Sequence, residues 1–194
     1  MRVRSLSIPP SFLSLAAAVL LAFAMRPQLR AVEAPRLVQK DGRYTLLVEG
    51  KPYLILGGQI HNSSAWPAEL PQVWKSMADL HANTVEAPIY WEQFESQQGH
   101  FDYTNVDQIV EGARAHNLHV VLLWFGTWKN GNNHYVPAWV KADTTRFPRV
   151  IRPDGEPIDV MSPISRNTLE ADKAAFVALM RHLSKSMATS TPSS

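Results

Sequence analysis

His119-Val120-Val121-Leu122-Leu123-Trp124 is the stretch on which the fold turns. It is a short, continuous apolar run, the pattern of a strand buried on both faces. Immediately before it, Val106, Ile109, Val110 and Ala113 recur at the helical period, and Asn117 stands where that helix would close. Further upstream the pattern repeats. Thr84 to Tyr90 reads as a second strand, with Pro88 implying an irregular end, and Leu70, Val73, Trp74, Met77 and Leu80 mark an amphipathic helix ahead of it. Tyr44–Val48 and Tyr53–Ile60 flank Glu49-Gly50-Lys51-Pro52 and predict a hairpin. Gly57-Gly58 in its second run signals a bulge or a close approach of backbone. Downstream, an aromatic and Asn/Gly-rich loop is expected from Phe125 to about Ser165. A last helix begins near Thr168 and carries Leu169, Phe176, Leu179, Met180 and Leu183 on one stripe, which Asp172 and Lys173 interrupt.

Strand, helix, strand, helix, strand, helix is the signature of βαβ units and a parallel sheet. A doubly wound sheet and a (β/α)8 barrel share it. No Gly-rich phosphate loop follows the first strand, which counts against a dinucleotide fold, and long strand-end loops rich in aromatic and amide side chains favour the barrel. A closed barrel takes about 250 residues. The 194 residues here supply three units. The expected class is α/β, an incomplete TIM (β/α)8 barrel of about the first three βα units preceded by a β-hairpin.

A composition of 45% hydrophobic and 19% charged residues excludes a disordered or fibrous chain. There is no cysteine, which removes disulfides and thiolate metal sites. Residues 1–34 read as a signal peptide and leader. Arg2 and Arg4 precede the apolar run Phe12–Ala24, and residues spaced for a signal peptidase occur at Ala22 and Ala24 and again at Val32 and Ala34. The run falls short of the roughly 20 apolar residues that span a bilayer. The expectation is an exported protein, periplasmic or extracellular, with no stable membrane association after leader cleavage. The leader holds four arginines and one acid, so 15 basic and 16 acidic side chains remain and the pI of 9.0 belongs largely to targeting. Nucleic-acid binding has no electrostatic footing on such a chain. Residues 35–183 are expected to form the folded domain, and 184–194 a disordered polar tail.

Two sets of side chains carry chemistry. Trp66, Tyr90, Trp91, Trp124, Trp128, Tyr135 and Trp139 fall at predicted strand ends or in the loops after them. Sugar rings stack their C–H faces on such rings, and Asn62, Asn130, Asn132, His61 and His134 suit the hydroxyls. Taken singly, each tryptophan also suits a core. The second set is Glu86, Glu92 and Glu95. Retaining glycoside hydrolysis needs two carboxylates about 5–5.5 Å apart. Glu86 and Glu92 fit that pair on sequence alone, but catalytic carboxylates usually come from the ends of different strands, which favours binding or structural roles here. The seven histidines show no metal-ligand spacing, and no Gly-x-Ser-x-Gly elbow exists.

Gly57-Gly58-Gln59-Ile60-His61, Trp66-Pro67, Trp74-Lys75-Ser76-Met77 and Asn83-Thr84-Val85-Glu86 resemble the opening of glycoside hydrolase families 35 and 42. Trp91-Glu92-Gln93-Phe94-Glu95, Gln98-Gly99-His100-Phe101-Asp102-Tyr103, Leu118–Leu123 and Val136-Pro137-Ala138-Trp139-Val140 continue the likeness over about residues 40 to 183. The resemblance implies the N-terminal part of a catalytic (β/α)8 barrel that removes terminal β-galactosyl or related residues with retention, without a cofactor. In those families the acid/base follows the fourth strand and the nucleophile the seventh, so both catalytic glutamates are expected beyond Ser194 and the chain alone is expected to be inactive. His61, Asn62, Glu86, Tyr90, Trp128 and Asn130 match positions that line the galactose-side subsite, and an oligosaccharide or polysaccharide is the implied partner. Asn62 departs from the pattern, standing where better-known members carry an aromatic, and Ser96 stands where proline is common. A non-catalytic carbohydrate-binding module, or a piece that completes its barrel with a second chain, remain the competing readings.

Overall fold

The computed structural model describes residues 33–130 and 134–189, the last three as backbone only. The leader expected over 1–34 lies almost entirely outside them. The chain divides into two compact units, one up to Leu54 and one from Ile55.

The first unit is an antiparallel meander of β1 (Arg36–Lys40), β2 (Arg43–Val48) and β3 (Lys51–Pro52). Lys40 pairs with Arg43 and Val48 with Lys51, so both reversals are two-residue turns, and all four turn residues (Asp41, Gly42, Glu49, Gly50) have positive φ. That is the type I′ geometry matching the twist of a hairpin. The turn predicted over 49–52 is therefore tighter, with Lys51 and Pro52 already in the strand. The predicted second run also divides: Tyr53 N donates to Leu46 O at 2.8 Å, whereas Gly57–Gln59 pairs elsewhere, in the second unit. β1 is not among the predicted strands; Asp41-Gly42 is the local signal for it.

The second unit is α/β. Its parallel strands β4 (Gly57–Gln59), β5 (Thr84–Tyr90) and β6 (His119–Phe125) lie in that order. Helix α1 (Leu70–Asp79) joins the first two, and α2 (Trp91–Phe94) and α3 (Thr104–Ala115) join the next. α1 buries Leu70, Trp74 and Met77, while Leu80 falls beyond the helix and is exposed. His81 and Asn117 take positive φ just past α1 and α3, and Ala82 N and Leu118 N reach back to Met77 O and Ala113 O. These are Schellman closures, and Asn117 closes its helix as expected. Asn83 stitches the strand starts together: its Oδ1 accepts from Leu56 N at 2.9 Å and its carbonyl from His119 N at 2.9 Å.

All three long helices cover one face of this sheet. A Cβ on Gly58 would meet Met77 Cε of α1 at 2.7 Å, and one on Gly112 of α3 would meet Trp74 of α1 at 2.6 Å. A Cβ on Gly57 would meet Thr84 O at 2.9 Å, so the Gly57-Gly58 signal marks close approach and not a bulge. Val85, Ala87 and Ile89 point into this packed side. Helix α5 (Arg166–Thr189) joins it, with His182 Nε2 2.6 Å from Asp107 of α3 and Trp124 Nε1 donating to Asp172 at 2.6 Å.

Four expectations need correction. β6 is not covered on both faces: Val121 is 39% exposed, because among the described residues β6 is an edge strand and its other face carries no helix. Pro88 does not end its strand irregularly. Glu86 O accepts from Ile60 N, which puts Pro88, two residues on, towards β4 beyond that strand's end, where no N–H is required. The expected loop after Phe125 contains α4 (Ala138–Ala142) and an antiparallel pair, β7 (Arg149–Ile151) with β8 (Pro157–Met161). Finally, α5 buries Thr168, Ala175, Leu179 and Leu183, while Leu169, Phe176 and Met180 stay exposed, and the helix continues to Thr189 through the start of the expected tail. Residues 190–194 lie outside the described residues.

Candidate functional site at the strand ends

In a parallel sheet, residues in register lie side by side on the same face. Gln59, Glu86 and Val121 form one row on the face that no described helix covers, and Tyr90 and Phe125 form another at the carboxyl ends. β4 delivers His61 and Asn62 just beyond its end, β5 delivers Tyr90 and α2, and β6 delivers Gly126, Thr127 and Trp128.

Aromatic packing organises these ends. The Tyr90 ring stacks on Tyr135 with centroids 5.2 Å apart, and lies 5.9 Å from Trp66 and from Phe125. Tyr135 also packs on Phe125 at 4.9 Å, its hydroxyl donates to Asn62 O at 3.3 Å, and its carbonyl accepts from Glu92 N at 2.8 Å. Offset and tilted pairs at these separations are the favourable aromatic arrangements. Tyr90 is only 2% exposed, and its hydroxyl accepts from Ala65 N at 3.2 Å. Burial, the largest influence, pushes its phenol above the ordinary tyrosine value, against the opposing Ala65 N–H bond. Tyr90 therefore holds the strand ends together from within.

The other expected site residues are more accessible. His61 is exposed, and its Nδ1 accepts from Ser63 N at 3.3 Å. Glu86 and Asn62 are half-buried. Trp128 is 60% exposed, and Asn130, exposed with φ of 54°, borders the stretch 131–133 outside the described residues. Of the three carboxylates, Glu95 is structural. It is buried, accepts from Trp91 Nε1 at 2.8 Å and Gly99 N at 2.7 Å, and its carbonyl takes Trp139 Nε1 at 2.9 Å. Glu92 faces Lys141 Nζ at 3.7 Å.

One residue that sequence reasoning missed is Asp172. It accepts from Trp124 Nε1, Thr127 N and Thr127 Oγ1, fastening the end of β6 to α5. Gly126 is compressed beneath this clamp, since a Cβ there would come within 2.5 Å of Asp172 Oδ2 and Trp124 Nε1. The signal was available: an acid on the inner face of a helix must find donors.

The model of glycosyl hydrolases family 35 matches residues 45–149, more than half of the chain. The chain belongs to glycosyl hydrolase family 35. The match takes in all three parallel strands and every expected site residue, and stops at the first residue of β7. Among relatives, a beta-galactosidase of Xanthomonas manihotis is 33% identical over 99 residues, which is 47% of this chain and 16% of that protein. Beta-galactosidase 13 of Arabidopsis thaliana is 25% identical over 135 residues, 66% of this chain and 15% of that protein. The chain thus aligns with about a sixth of the length of either relative. Among solved structures, an exo-beta-1,4-mannosidase, Op5Man5, from Opitutaceae bacterium strain TAV5 superposes with a TM-score of 0.49 and 22% identity, over 68% of this chain and 22% of that one.

Proposed function

We propose that this family 35 chain is the N-terminal arc of a (β/α)8 barrel of β-galactosidase type, supplying part of the sugar-binding wall and neither catalytic glutamate. The observation that carries the reading is the placement of α1, α3 and α5 on one face of a parallel sheet, with Gln59, Glu86 and Val121 left on the other. A doubly wound sheet places helices on both faces, and a barrel places them on one. His61, Asn62, Glu86, Trp128 and Asn130 are assigned to the galactose-side wall, with Tyr90 supporting them through its packing. The partner is a glycan carrying a terminal β-galactosyl or related residue, and the leader sends the protein out of the cytoplasm.

Glu86 and Glu92 do not suit the catalytic pair. The strand from Glu86 to Tyr90 spans about 13 Å at roughly 3.3 Å per residue, so Glu92 lies well above Glu86. Glu92 is moreover turned to Lys141. The test is turnover of a chromogenic β-galactoside by the mature chain and by a form extended with the remaining βα units of a family 35 relative. Activity in the extended form alone supports the reading. Turnover by the short chain, abolished by Glu86→Gln or Glu92→Gln, overturns it and makes those two residues the catalytic pair.

A further inference from the structure

Lys129 stands between Trp128 and Asn130 in the segment that leaves the end of β6, and the sugar wall assigned above uses both neighbours but not the lysine. Its side chain folds back so that Nζ lies 4.3 Å from the centroid of the Phe125 ring, and the residue is half-buried. An ammonium over a ring face at this separation is held by the ring's quadrupole. Phe125 is itself fixed, buried and packed on Tyr90 and Tyr135. The charge is thus set at the carboxyl ends of the strands, beside the upper row of the face that no described helix covers.

That charge lacks a counter-ion. Among the described residues no carboxylate oxygen lies within 4.0 Å of Lys129 Nζ. Lys141, the other lysine between β6 and β7, is engaged: its Nζ faces Glu92 at 3.7 Å and donates to His134 O at 2.9 Å. Glu86 on the uncovered face belongs to the row four residues lower, about 13 Å along the strand at roughly 3.3 Å per residue. Over such a distance salt screens most of the attraction. The Phe125 ring holds the cation in place without neutralising it, and an ammonium carries donors and no acceptor. An anion supplies what is missing, and a lysine binds one as a point charge. We propose, on the sugar-wall reading above, that Lys129 is a specificity-determining residue of that wall and selects a glycan whose sugar at the strand ends carries an anionic substituent, a carboxylate or a sulfate ester.

The full chain is titrated with D-galactose, D-galacturonate and D-galactose 6-sulfate and followed by ¹H–¹⁵N spectra. The expected result is saturable shifts at Trp128, Lys129 and Asn130, with at least one anionic sugar bound about tenfold more tightly than galactose. That advantage shrinks as salt is raised. A preference for galacturonate alone assigns a carboxylate, and one for the 6-sulfate alone a sulfate ester. Lys129→Met, which keeps an unbranched apolar side chain but no charge, abolishes the preference, and Lys129→Arg, which keeps the cation, retains it. Equal binding of the three sugars, no saturable shift with either anion up to about 50 mM, or a preference that survives Lys129→Met would each overturn the proposal. The β-galactoside assay uses an uncharged sugar, so the two readings fail separately: equal binding with shifts at His61, Asn62 and Trp128 removes the charge selection and leaves the wall in place.

Discussion

The two faces of β5 belong to one strand but to different environments. Val85 and Ala87 are fully buried beneath α1 and α3, in a layer where glycines stand wherever a Cβ would collide with Trp74 or Met77. On the opposite face, Glu86 is half-buried beside an exposed Val121, and only the strand ends are capped, by the Tyr90–Phe125–Tyr135 cluster. The covered face carries the stability of this unit. The bare face carries Gln59 and Glu86, and among the described residues no helix packs on it.

That contrast sets the order of mutational effects. Trp74→Ala removes the side chain on which α1, α3 and Gly112 meet, and is expected to cost about 3–5 kcal/mol in urea unfolding. A loss below about 1 kcal/mol would mean that the covered face is not the core. Asp172→Ala leaves the Trp124 indole N–H and two Thr127 donors without their acceptor, an expected loss of about 2–4 kcal/mol. Asp172→Asn, which keeps one acceptor oxygen, should recover part of it. Val121→Ser on the bare face should change stability by no more than about 0.5 kcal/mol. A Val121 effect as large as that of Trp74 would erase the distinction between the faces.

Tyr90 sharpens the comparison through pH. Its phenol is raised above 10.0 by burial, so the fold favours the neutral form. The stability this gives is fully present below the ordinary tyrosine value and is lost as pH rises through the folded value. Unfolding free energy should therefore fall on the alkaline side of pH 10, and Tyr90→Phe should flatten that slope. An unchanged slope in the variant would show that Tyr90 ionises as freely as an exposed tyrosine.

The order of elements was legible because period and punctuation agree: apolar spacing marked α1 and α3, and Asn117 marked the end of α3. Burial was less legible. A continuous apolar run such as Val120–Trp124 looks the same whether one or both faces are covered, so the exposure of Val121 needed the neighbouring elements. The α5 stripe was misplaced by a related ambiguity. Leu169, Phe176 and Met180 share helical spacing with the buried set, and Asp172 reads as an interruption until its donors, 45 and 48 residues away, are brought to it. The assignment of His61, Asn62, Glu86, Trp128 and Asn130 rests on the family resemblance and stays part of the proposed function. The inward role of Tyr90 and the structural role of Glu95 depend on contacts made at the fold's last stage.

The most direct test of the one-faced, open arrangement is amide hydrogen exchange along β6, in this chain and in the form extended with further βα units. His119 N donates to Asn83 O, so alternate amides face β5 and those of Val120, Leu122 and Trp124 face the open edge. The account predicts that these three exchange rapidly in the short chain and become protected in the extended one, while β5 stays protected in both. Full protection of all three in the short chain would contradict it, because the edge would then already be paired.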